Sequence, residues 1–192
     1  MQPDDAAVIA KARDGDHEAF RVLVDRHGRN IYRLAYRMTG KPEDAEDVVQ
    51  DTFVRAFQRL DRFEARSNFA TWLYRIGFNC AIDYMRSRQR RETPEPPATL
   101  EILAPTASGP SMDDLVYAGE IDRRVRAALQ DLSEQERAAF LLRHYHGCSI
   151  EEICEALDLK TNAAKHSIFR AVRKMRTALG PLVGAPLERV ES

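Results

Sequence analysis

Apolar positions recur at three- and four-residue intervals along most of this chain, and no window alternates at period two. That pattern predicts an all-α fold. Phe20, Leu23, Val24, Ile31, Leu34, Ala35 and Met38 form one stripe. Gly28 is expected to interrupt that helix, Gly40 to end it, and Pro42 to occupy the first turn of the next. There Ala45, Val48, Val49, Thr52, Phe53, Ala56, Phe57 and Leu60 repeat the stripe. A third helix follows the capping residues Ser67 and Asn68, turns Phe69, Trp72, Leu73, Ile76 and Cys80 inward, and runs to about Ser87.

The second half is equally periodic. A helix is expected from near Met112 to Gln130. Ser133 with Glu136, and Ser149 with Glu152, are capping boxes that open two further helices. The first carries Phe140, Leu141, Leu142 and Tyr145 and is closed by Gly147; the second is short and carries Ile153, Cys154 and Leu157. Asp158-Leu159-Lys160 is a turn. Thr161 or Asn162 caps a last helix with Ala164, Ile168, Ala171, Val172, Met175 and Leu179 inside. A short helix, a tight turn and a longer basic helix make a helix-turn-helix.

Between the halves, the stretch from Thr93 to Ser111 holds five of the nine prolines and has no period, so it reads as a flexible linker. The expected organisation is two small helical domains, residues 1–91 and 112–180, joined by a linker at 92–111 and followed by a frayed tail at 181–192. The full 192 residues leave room for two such units.

Charge changes the picture only through its distribution. With 29 basic and 30 acidic side chains the net charge is −1, so there is no global pull toward nucleic acid. Yet Lys160 to Arg176 carries six bases and no acid. Its outward face is Asn162, Lys165, His166, Phe169, Arg170 and Arg173, with cations for phosphates and polar tips for base edges. The third helix ends in Arg75, Arg86, Arg88, Arg90 and Arg91 with Asp83 among them. Aromatics lie upstream, including Phe63 in a loop, a combination suited to a single strand. The second helix is the reverse: Glu43, Asp44, Glu46, Asp47 and Asp51 stand against Lys41, a face for a basic protein partner that looks away from DNA.

Other classes find little support. No apolar run reaches a membrane span and no secretory signal opens the chain, so a cytoplasmic protein without membrane insertion is expected. Three cysteines suit a reducing compartment. No phosphate-binding glycine loop, nucleophile elbow or His-Glu-x-x-His motif is present, so no enzyme and no cofactor are expected. His144, His146 and Cys148 could ligate a metal in principle, but a helix end followed by a turn suits them as ordinary polar residues, and no metal is expected.

The segment from Asp44 to Phe53, with Asp47, Gln50 and Asp51, followed by Phe63 and by Thr71 to Asn79, resembles the second conserved region of sigma-70 factors. The segment from Leu132 to Ser149 with the helix-turn-helix resembles the fourth. Regions one and three find no counterpart, which resembles the extracytoplasmic-function (ECF) group. The resemblance implies a factor that binds core RNA polymerase, directs it to promoters and helps melt the minus-ten element.

It also implies roles. Asp47, Gln50, Asp51 and Phe53 would meet the clamp of the polymerase largest subunit, and the second domain the flap. Phe63, Arg66, Ser67 and Asn68 would capture a flipped minus-ten base; Arg75, Asn79, Asp83 and Arg86 would help melt and read that element. Asn162, Ala163, Lys165, His166, Phe169, Arg170 and Arg173 would read the minus-thirty-five duplex. Asp158 stands where many relatives have glycine, and Ala163-Ala164 where a Thr-Val pair is usual. The implied partners are core polymerase, promoter DNA and an anti-sigma factor, with the free chain monomeric. The alternative is a helix-turn-helix repressor that acts without polymerase.

Overall fold

The computed structural model describes residues 5–64, 68–91 and 123–183, and all regular structure among them is helical. Helix α1 (Asp5–Arg13) was not apparent from periodicity. It is held instead by one buried carboxylate: Asp5 accepts from Arg26 at 3.0 Å and meets His27 Nε2 at 3.1 Å. Helix α2 (His17–Thr39) starts at Asp16, whose side chain accepts from the Ala19 amide, and ends at Gly40, whose φ of 81° is left-handed. Gly28 does not interrupt it. A glycine inside a helix costs only about 1 kcal/mol, less than the burial of Leu23, Ile31, Leu34 and Met38 on either side stabilises.

Helix α3 (Pro42–Gln58) leads through a 3-10 turn (Leu60–Arg62) to a loop and to α4 (Phe69–Arg91). Asn68 caps α4, its Oδ1 accepting from the Thr71 amide at 2.7 Å. Ser67, the other expected cap, lies outside the described residues. Helices α2, α3 and α4 pack pairwise around one core. Thr52 hides its hydroxyl by donating to the Val48 carbonyl at 2.6 Å, and Gly77 of α4 lies over it, where a Cβ would sit 3.5 Å from Thr52 Oγ1.

In the second part, residues 123–130 are helical (α5, as far as it is described), followed by α6 (Glu134–His144), α7 (Ile150–Leu157) and α8 (Thr161–Val183). The expected start of α5 at residues 112–122, and the linker at 92–111, lie outside the described residues. Both capping boxes form. Gly147 adopts φ 67° after α6, and Asp158 after α7 takes the left-handed conformation at φ 53° that a glycine would take more cheaply. Helix α8 begins at Thr161, with the Lys160 carbonyl accepting from Ala164, so Thr161 and Asn162 stand in its first turn and do not cap it. It continues past Gly180 to Val183; Pro181, lacking an N–H, costs it one bond in the final turn.

The two parts touch. Helix α4 lies on α7, and α2 on α6. Arg137 of α6 is buried and donates to the Met38 carbonyl at 2.6 Å, where the closing glycine of α2 leaves carbonyls without helical donors. It also donates to the carbonyls of Gln130 and Leu132. Arg126 donates to the Tyr36 hydroxyl at 2.6 Å. Tyr145, expected within α6, follows its last residue; it is 44% exposed and lies under the Arg37 guanidinium, 3.7 Å from the ring centroid.

Candidate nucleic-acid and protein interfaces

Helix α3 presents two different clefts, one on each side. Toward α4 lies a polar cleft of about 610 Å³, where Asp44, Asp47, Asp51 and Asp83 stand against Lys41, Arg55 and Arg88. Asp44 at its floor is buried, bound by Arg88 and by the Tyr84 hydroxyl at 2.9 Å. Burial, then the hydrogen bond to Asp44, push the Tyr84 phenol up to about 12. Asp47, Gln50 and Asp51 are exposed at the rim. Arg55 ties Asp83 at 3.0 Å and Asp51 at 3.4 Å.

Toward α2 lies an apolar groove of about 580 Å³, whose walls include Phe20, Val24, Val49, Phe53, Val54 and Phe57. Gln50 borders both clefts. Phe53, expected at a partner surface, is 7% exposed, with its ring edge-on to Phe20. Phe57, expected in the core, is 42% exposed and Val54 is 49% exposed. The exposed apolar side chains that α3 gives to this surface are therefore Val54 and Phe57. Period alone could not separate them from Phe53, because Phe57 and Phe53 are one helical turn apart on the same stripe.

The loop before α4 departs from expectation in a second respect. Phe63 is 5% exposed, its ring 5.5 Å from Phe69 and 5.2 Å from Trp72. A buried ring in an aromatic cluster is a floor and not an open stacking platform. Arg13 of α1 donates to the carbonyls of Leu60 and Phe63, so the unforeseen first helix braces this loop. Arg66 and Ser67 lie outside the described residues. Asn68 is half-buried: its carbonyl oxygen caps α4 while its amide donates to Glu152 Oε1 of α7.

Further along α4, Arg75, Asn79, Asp83 and Arg86 are all exposed and recur at helical spacing, so they share one face. Arg86 reaches Glu134 at 3.0 Å.

Helix α8 exposes Asn162, Lys165, His166, Phe169, Arg170 and Arg173, with Ala163 half-buried beside them. Phe169 is 66% exposed amid cations. Ala164 and Ala171 are buried, and Ser167 accepts from Gln135 of α6 at 3.0 Å, which fixes the rotation of the helix. Glu136 has two tasks. It closes the α6 capping box and accepts from Lys174 at 2.7 Å, with Arg170 at 3.3 Å. Burial would raise its pKa, but the bonds from Lys174 and Ser133 and the charge of Arg170 outweigh it and hold the carboxyl below its ordinary value.

His144, His146 and Cys148 diverge. His144 packs against Phe140 with the rings tilted, His146 Nδ1 pairs with the Tyr74 hydroxyl at 3.1 Å, and the buried Cys148 thiol is pushed up to about 12 by burial. Among the described residues no three His, Cys, Asp or Glu side chains are grouped to hold a metal. No described helix is long and apolar enough to cross a membrane.

Comparison with known proteins agrees with this layout. Residues 23–91 match the family described as Sigma-70 region 2, and residues 122–175 match Sigma-70, region 4. The chain is 31% identical to the ECF RNA polymerase sigma-E factor of Haemophilus influenzae, over 95% of this chain and 98% of that one. It is also 31% identical to the ECF RNA polymerase sigma factor SigW of Bacillus subtilis, over 91% and 96% respectively. Among solved structures, CnrH in complex with the cytosolic domain of CnrY superposes with a TM-score of 0.69 at 30% identity, covering 92% of this chain and 97% of that one.

Proposed function

The chain belongs to the ECF group of the sigma-70 family, and from that premise we propose that it docks core RNA polymerase through α3 and engages promoter DNA at two places. The observation that carries this reading is the separation of three exposed helical faces of different chemistry: acidic and apolar on α3, mixed polar on α4, basic on α8.

On this reading Asp47, Gln50 and Asp51 meet a basic partner surface on the clamp, with Val54 and Phe57 adding apolar contact. Few charges are desolvated at such a rim, so it tunes encounter and orientation as much as affinity. Asn68, Arg75, Asn79, Asp83 and Arg86 hold the melted minus-ten strand. Extruding a base costs a few kcal/mol, offset by hydrogen bonds to its exposed edge and by phosphate contacts. Asn162, Lys165, His166 and Arg170 enter the major groove at the minus-thirty-five element, with Arg173 on phosphate. The partners are core polymerase, promoter DNA and an anti-sigma protein; CnrH, the structural neighbour above, was itself solved bound to CnrY. The site of action is the cytoplasm. The domains that carry the two sigma regions are residues 1–91 and 112–180. A stand-alone repressor would use α6 to α8 alone and leave the exposed faces of α3 and α4 without a task.

The test is run-off transcription with core polymerase and a promoter library. Transcript starts that share two spaced motifs only when the chain is added support the reading. The same starts with and without the chain, from active core polymerase, overturn it.

A further inference from the structure

Of the contacts between the two helical parts, one falls on the loop that would hold the minus-ten base. Glu152 of α7 uses one carboxylate oxygen, Oε2, to close its own helix cap on the Ser149 amide at 2.8 Å. Its other oxygen, Oε1, accepts from the Asn68 side-chain amide and from the Thr71 hydroxyl at 3.2 Å. Thr71 is itself 1% exposed, and its single hydroxyl proton is shared between Glu152 Oε1 and Asn68 Oδ1, which lies 3.0 Å away. The backbone amide of Thr71 is taken by Asn68 Oδ1 as well.

From these bonds we infer that Glu152 is an internal latch. It occupies the Asn68 amide that a flipped minus-ten base would need, so helix α7 and the melted strand compete for one site. The inference rests on the assignment of Asn68 to minus-ten binding. The chemistry is matched: a carboxylate oxygen and the carbonyl or ring nitrogen of a base are both acceptors for an amide donor. The carboxylate is the stronger, because the bond is charge-assisted.

The latch is selective. Asp47, Gln50 and Asp51 on α3 and the cationic face of α8 stay exposed while Asn68 is held. The closed chain can therefore still meet polymerase and duplex, whereas the single strand must displace α7. Neighbouring contacts hold α7 in place for this: Tyr74 with His146 at 3.1 Å, and Arg37 over Tyr145. Strand binding and separation of the two parts are then linked, and each favours the other.

The test uses the full-length chain and a single-stranded oligonucleotide carrying the downstream motif found by run-off transcription. Binding is followed through Trp72, the only tryptophan, next to Thr71. Glu152→Ala is expected to tighten oligonucleotide binding by the free chain roughly tenfold, the scale of one lost charge-assisted bond. Thr71→Val, which removes one latch bond and leaves the α7 cap intact, is expected to shift affinity in the same direction by less. Ser149→Ala weakens the same cap without touching the latch and is expected to leave affinity unchanged. Unchanged affinity in Glu152→Ala, or an equal gain in Ser149→Ala, overturns the latch. Failure of wild-type holoenzyme to bind the oligonucleotide would instead overturn the minus-ten assignment itself, and the latch with it.

Discussion

Arg137 of α6 donates to the carbonyl of Met38 at the end of α2, joining two helices 99 positions apart in sequence. The guanidinium is buried, and no described carboxylate is bonded to it; three backbone carbonyls take that place. Burial accordingly lowers its pKa, with the charge of Glu134 opposing. A cation in that setting is held by the geometry of its acceptors, and removing it leaves those carbonyls dry. Arg137→Ala is expected to destabilise the chain by about 2–4 kcal/mol, read as a lower denaturation midpoint in urea. A loss under about 0.5 kcal/mol, the scale of an unremarkable surface change, would mean that the carbonyls find water instead.

The α3 face separates binding from folding. Asp47 and Gln50 are exposed, so the double variant Asp47→Ala, Gln50→Ala should leave stability within about 0.5 kcal/mol of wild type. Its affinity for core polymerase should fall roughly tenfold, with a weaker dependence on salt. Competition against unmodified chain for core polymerase measures both quantities. Undiminished competition would remove this face from the docking surface.

On α8 the cations differ in how they are held. Arg170 is tethered by Glu136, while Lys165 is exposed near the helix start. Arg170→Ala is expected to cost about 1–3 kcal/mol at the upstream motif and to relax its sequence preference. Lys165→Ala should weaken all sequences alike and reduce the salt slope by about 1. Titration of duplexes at several salt concentrations separates the two behaviours.

Acid should loosen the contact between the two parts. Burial, then the charges of Arg37 and Arg33, lower the His146 pKa from 6.5 to about 4. The folded chain therefore stays unprotonated at His146 where the unfolded chain takes up a proton. The stability His146 contributes is full above pH 6.5 and is lost as pH falls toward 4. The loss from this group is at most about 3 kcal/mol. Side-chain NMR titration should place the His146 midpoint well below the ordinary value of 6.5. A midpoint near 6.5 would show the ring to be solvated.

The glycine inside α2 and the one that caps it should respond in opposite directions. A Cβ on Gly28 would meet nothing within 4 Å beyond its own helix backbone, so Gly28→Ala should stabilise by about 0.5–1 kcal/mol. Gly40 is left-handed, and its Cβ would meet the Gln130 side chain at 3.1 Å, so Gly40→Ala should destabilise by at least about 1 kcal/mol. Thermal denaturation of the pair checks both signs.

Local pattern along the chain settles the helical class, the bounds of α3, α6 and α7 to within a few residues, both capping boxes and the basic face of α8. These features are local: a cap is a bond across three residues, and a face is set by the 3.6-residue period. Helix α1 escaped because its place depends on Asp5 meeting Arg26 and His27, more than 20 positions away. Phe53 and Phe57 share one stripe, and only the position of α2 decides which ring is covered. Phe63 reads as an open loop aromatic until Phe69 and Trp72 fold over it. Most of all, the pairing of Glu152 with Asn68 joins residues 84 positions apart. A capping glutamate has a complete local explanation, so nothing in its own segment signals a second partner; only the packing of α7 on α4 supplies one.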